Sequence, residues 1–195
     1  MVFTKFYENL PVNRKEVLRY AGCKDGEAVF GKLLDECVAE SAAKGLSLKV
    51  CYTVFDVEIR KNVCGFGAFS VKSENLAKNL QGCTRAVVFA ATAGVEIDRL
   101  IAKYGALSPS KAVMFQSLGA ERVEALCDAF CEDVRREMNC ETKPRFSPGY
   151  GDLDLSSQKD IFSVLGCEKH IGLTLNDSML MSPSKSVTAI MGIIG

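Results

Sequence analysis

The chain has 195 residues, 48% of them hydrophobic and 25% charged, which is the balance of a globular protein with one good core rather than a disordered or fibrous one. Lys plus Arg and Asp plus Glu stand at 24 each, so nothing marks a nucleic-acid footprint or a polybasic membrane anchor. No basic-then-apolar leader opens the chain, and the longest apolar run, Ala86 to Val95, is too short to span a bilayer. A cytoplasmic protein is expected, with neither nucleic acid nor membrane as a partner. Its length suits a single domain over residues 1–195, with the N-terminal helical part, about 1–45, as a looser subregion.

In chain order, Asn13 precedes "RKEVLRYAG" as a helix N-cap and Gly22 closes that helix. A second helix is predicted from about Asp25 to Gly45. "LSLKVCYTVFDVEI" reads as one long strand with Cys51, Thr53, Phe55, Val57 and Ile59 on one face, and Asp56 and Glu58 pointing outward. "GFGAFSV" reads as a short strand across a turn, completing a hairpin. Ser73 caps a short helix, "SENLAKNL", and "TRAVVFAATA" is a buried strand. "GVEIDRLIAKYG" is helical and ends at Gly105. The longest helix runs from about Ser108 to Asn139, where Phe115, Leu118, Val123, Leu126, Phe130 and Val134 keep a helical period. Ser156 or Ser157 opens a helix through "QKDIFSVL", and two or three strands finish the chain. Helices and strands mix without strict alternation, so the fold class is α+β: a mixed or antiparallel sheet with flanking helices.

Several motifs carry no chemistry. The nine cysteines include no C-x-x-C, and His170 is the one histidine, so no zinc pattern forms. Cys127 and Cys131, four apart on the long helix, read as core filler. "GFGAF" lacks the third glycine of a nucleotide loop and sits between strands. "SPSKS" has no glycine, and His170, near a strand start, has no triad spacing around it.

The stretch "RFSPGYGDLDLSSQKDIF", Arg145 to Phe162, is different. A Gly-Tyr pair behind Pro lets the backbone approach a ligand while the ring covers an aromatic group. An Arg before it can hold a carboxylate or phosphate through two parallel hydrogen bonds. The same residues also suit a structural turn, with Arg145 capping the preceding helix and Tyr150 packing. On the long helix, Glu124 falls on the side of Ala120, Cys127 and Cys131, as a partner for a cation or as an ordinary boundary residue. Asp128, Glu132 and Arg135 fall on the more charged flank.

Arg145, Phe146, Ser147, Pro148, Gly149 and Tyr150 spell R-x-x-x-G-Y, followed by "IGLTLNDS" from Ile171 and "PSKSV" from Pro183. In this order, and after "VEALCDAFCEDVRRE", they resemble the activation domain of cobalamin-dependent methionine synthase. The resemblance is clear over about residues 118–195 and weak before them. It implies that fold and an S-adenosylmethionine site made by Glu124, Arg145, Ser147, Pro148, Gly149 and Tyr150. The ligand's carboxylate would meet Arg145, its cationic groups Glu124, and its adenosine the loop backbone and Tyr150. It further implies a partner, methionine synthase or another corrinoid protein, whose cob(II)alamin is reduced by a flavodoxin or ferredoxin-type donor and then methylated. The chain has no cobalamin, homocysteine or folate domain, so a free-standing accessory subunit is expected, not a complete enzyme, with one concave surface that contains the Arg145 loop.

Two departures stand out. A ligand-contacting Tyr of the family falls at about Met191, and for the family's N-terminal ligand Asp the nearest candidate is Asp56. An interaction module of the same fold that docks without binding S-adenosylmethionine is therefore the alternative. A thiol protein using some of the nine cysteines is a third.

Overall fold

The computed structural model describes residues 1–23 and 26–194. Among them, three long strands make the centre: β2 (Leu48–Asp56), β6 (Cys83–Thr92) and β10 (Ser186–Ile194). Each pairs antiparallel with its neighbour, and β1 (Phe3–Tyr7) and β7 (Glu141–Thr142) close the two edges in the order β1-β2-β6-β10-β7. The expected antiparallel α+β architecture is the observed one.

These strands are apolar on both faces, so both must be covered. On β6, Val87, Phe89 and Ala91 face the long helix α5 (Pro109–Met138), which contributes Val123, Leu126, Cys127, Phe130 and Val134. Ala86, Val88 and Ala90 face the other way. There they meet Leu76 of α3 (Glu74–Asn79), Ile161 and Leu165 of α6 (Gln158–Leu165), and Cys167 and Ile171 of α7 (Cys167–Ile171). Against the first half of α5 pack α1 (Arg14–Tyr20), α2 (Glu27–Lys44) and α4 (Val95–Leu107), around Leu18, Leu34, Leu100, Phe115 and Leu118.

Asn13 accepts a hydrogen bond from the Glu16 amide and Ser73 from the Leu76 amide, so both expected N-caps are in place. Asp25, the expected start of α2, lies outside the described residues. The long strand predicted through Ile59 is broken. The ladder with β6 ends where Asp56 pairs with Arg85; Val57 adds one last hydrogen bond, to the Thr84 carbonyl at 2.8 Å, and the chain then crosses to a second sheet. That sheet is β3 (Glu58–Arg60), β4 (Val63–Gly65) and β5 (Ser70–Lys72). "GFGAF" is the turn between β4 and β5, held by stacked Phe66 and Phe69 rings 5.0 Å apart. α4 continues past Gly105 to Leu107. His170 lies in α7, not beside a strand, and β8 (Thr174–Leu175) and β9 (Met181–Ser182) form a small hairpin before β10.

No helix among the described residues is long and apolar enough to cross a membrane.

Candidate functional site

Arg145 owes its position to the last long strand. After α5 the chain turns back beside β10: Thr142 pairs with Ile193, and Phe146 exchanges both backbone hydrogen bonds with Ile190 at 2.9 Å. Side chains alternate along such a segment. Phe146 enters the core on the α3–α6 side, and Arg145 turns to the α5 side. The motif thus straddles the edge of the sheet.

On that side Arg145 meets two carboxylates one helical turn apart. Its Nη2 donates to Glu124 Oε2 at 2.7 Å and its Nη1 to Asp128 Oδ1 at 2.5 Å. The Arg145 side chain is 24% exposed, whereas Glu124 is 45% and Asp128 74% exposed. Burial opposes the guanidinium charge most strongly, but the groups around it, Asp128 among them, hold it above its usual range. The thiols of Cys127 and Cys131 lie beneath, both pushed up by burial and therefore protonated neighbours rather than nucleophiles.

Of the two residue-level readings of Arg145, helix capping fails: α5 ends with Asn139 in the left-handed region, its amide bonded to the Arg135 carbonyl. The sequence pattern had set Asp128 on a flank apart from Glu124, but the structure joins the two through one guanidinium. The four-residue spacing was the available signal.

Two grooves flank this bridge. One, of about 550 Å³, runs between the segment Leu10–Tyr20 and α5 and includes Glu124 and Asp128. The other, of about 500 Å³, includes Asp128, Arg145, Lys143, Arg135 and Met191. Both are within the size range of small-molecule sites. Asp56 lines neither; it borders a separate groove with the β4–β5 turn.

Ser147 to Tyr150 form a tight turn in which the Tyr150 amide donates to the Ser147 carbonyl at 3.1 Å. Gly149 sits at φ 85°, a conformation that favours glycine. Tyr150 is 68% exposed and stands edge-on to Phe146, ring centres 5.3 Å apart. One side of the ring packs on Phe146 and the outer surface is open. Asp152, which the sequence reading passed over, anchors the turn. Its carboxylate accepts from the Ser73 hydroxyl and from the Glu74 and Asn75 amides, at the start of α3. The Ser73 contact, first among these, holds the Asp152 carboxyl below its ordinary range.

Residues 72–193 match the family described as "Vitamin B12 dependent methionine synthase, activation domain". The chain belongs to that family. The family match begins well upstream of residue 118, where the sequence resemblance had become clear, and takes in α3, β6, α4 and α5. Among solved structures the chain is similar to the MetH reactivation domain in its complex with AdoHcy, at a TM-score of 0.74. That comparison covers 98% of this chain and 78% of the other at 16% identity, a likeness of fold. No curated protein sequence matches the chain. Within the activation-domain family, the R-x-x-x-G-Y motif of this chain is the Arg145 turn, and Met191 lines the groove beside Arg145.

Proposed function

We propose that this chain is an S-adenosylmethionine-binding reactivation subunit for a cobalamin-dependent methionine synthase, supporting the reductive methylation of cobalamin carried by a partner protein. In this reading it acts in the cytoplasm as one domain, and a flavodoxin or ferredoxin-type protein supplies the electron. The observation that carries it is Arg145: a half-buried guanidinium at the family's motif, held beside Glu124, with grooves of ligand size on both sides. The AdoHcy-bound state of the structurally similar reactivation domain supports the same ligand class.

The residues fit such a ligand. An amino-acid zwitterion can replace the internal ion pair charge for charge, its carboxylate taking the Arg145 fork and its ammonium taking Glu124. Ser147 to Gly149 present backbone to the ligand, and Tyr150 offers an exposed ring face for an adenine. When bound, S-adenosylmethionine supplies the methyl group. This chain's part is to orient that ligand and to present it to the partner's corrin.

The other reading, a docking module without the ligand, is favoured by Met191, whose side chain offers no hydroxyl where the family has its Tyr. Calorimetric titration of S-adenosylmethionine decides between them. Saturable binding, weakened by about 2 kcal/mol or roughly 30-fold in Arg145→Ala, is the expected outcome. No binding by the intact protein would leave only the docking role.

A further inference from the structure

The two grooves on either side of Arg145 differ in charge. In the second groove, Lys143 stands beside Arg145, together with Arg135, which is bonded to Glu132. In the first, two of the carboxylates are already matched: Glu121 by Arg122 at 2.6 Å, and Glu16 by Arg19 at 2.6 Å. Glu124 and Asp128 share the single guanidinium of Arg145. Among the described residues, one cation facing two anions leaves this side of the bridge one negative charge in excess. Asp128 is the more exposed of the two carboxylates and lines both grooves.

We propose that the groove between Leu10–Tyr20 and α5 takes the cationic part of the ligand, and that Asp128 makes the site prefer a sulfonium over a neutral thioether. The inference rests on the functional reading given above and deepens it. S-adenosylmethionine carries a carboxylate, an ammonium and a sulfonium, a net charge of plus one. S-adenosylhomocysteine has lost the sulfonium charge and is neutral overall. Both ligands can replace the Arg145–Glu124 pair. Only the charged one also compensates the carboxylate of Asp128 once Arg145 has turned to the ligand. For the neutral ligand Asp128 acts only as a competitor for Arg145. A unit charge several ångströms away in a half-exposed groove discriminates by about fivefold at moderate salt. For a methyltransfer accessory such a preference would favour the methyl donor over its spent form.

The test is a set of calorimetric titrations of wild-type protein and Asp128→Asn with S-adenosylmethionine, S-adenosylhomocysteine and sinefungin, in which an amine-bearing carbon replaces the sulfonium. Asn keeps the shape of Asp at a side chain that is 74% exposed, so an unchanged melting temperature is expected. The wild type should bind S-adenosylmethionine and sinefungin about fivefold more tightly than S-adenosylhomocysteine. In Asp128→Asn that ratio should fall close to one, with S-adenosylhomocysteine binding more tightly than in the wild type. The wild-type ratio should also shrink as salt is raised, and the variant's should not. An identical ratio in both proteins overturns the role of Asp128 while leaving the functional reading intact. Failure of all three ligands to bind the wild type overturns the functional reading, and this inference with it.

Discussion

Two ion pairs that draw their carboxylates from α5 lie beside the same N-terminal segment, yet they are built for opposite purposes. Glu121 and Arg122 are 4% and 5% exposed, and all three Arg122 nitrogens and both Glu121 oxygens are hydrogen-bonded. Arg122 donates to Glu121 and to the Leu10 and Pro11 carbonyls at 2.6 Å, and Glu121 accepts from the Asn13 amide at 2.9 Å. Three residues on, Glu124 and Asp128 hold Arg145 with their outer oxygens turned to water. A desolvated, saturated pair is a clasp: breaking it strands a charge. A half-exposed pair exchanges partners at little cost, since solvent compensates whatever is released. The first pins the wall of the groove, and the second is the pair that, in the proposed function, a ligand replaces.

The sharpest way to break this contrast is Arg122→Met. It leaves Glu121 buried and unpaired, a loss of about 3–5 kcal/mol, or roughly 10 °C in melting temperature for a chain of this size. Arg145→Ala should cost less than about 1 kcal/mol in stability, because both its carboxylates reach solvent, while removing most ligand affinity. Equal losses of stability in the two variants would erase the distinction. Chemical denaturation of both proteins measures it.

A smaller effect separates the anchored side of the motif turn from its free side. The folded Asp152 carboxyl titrates below its unfolded value, so its stabilisation is fully present above about pH 4 and is lost as acid protonates it. Asp152→Asn should therefore lower the melting temperature at pH 7, and the gap from wild type should close as the pH falls below the ordinary carboxylate range. A gap that persisted unchanged in acid would mean that shape, not charge, holds the turn. Smallest of all is the contrast among thiols. Burial pushes Cys37 and Cys64 up to about 11, and Cys23 and Cys140 are the two partly exposed cysteines. A thiol reagent at neutral pH should label Cys23 and Cys140 first and the other seven only on unfolding. A fast-reacting buried thiol would revive the thiol-protein reading.

What the sequence made legible follows the strength of local signals. The apolar period of α5, the Asn13 and Ser73 caps and the β6 run each declare themselves within a few turns or strand residues. β1 does not. "FTKFY" is short and half exposed, and its pairing, Phe3 opposite Tyr52, is supplied entirely by β2. The end of β2 is hidden for the same reason, since apolar alternation continues past Asp56 although the pairing with β6 stops there. At the site, the motif and the resemblance single out Arg145 and Glu124 as separate ligand contacts, and only the structure pairs them with each other. Asp128 needed the tertiary fact that Phe146 registers against Ile190 and turns Arg145 toward α5. Asp152 is visible only once the turn is seen against α3, which brings together residues 78 apart in the chain.

The most direct measurement is a titration of S-adenosylmethionine into the isotope-labelled protein, following the arginine side-chain N–H signals by nuclear magnetic resonance, with Arg145→Ala used for assignment. The Arg145 signal should move and saturate with the ligand while the Arg122 signal stays in place. Saturation that left Arg145 unmoved would contradict the claim that its ion pair is what the ligand replaces.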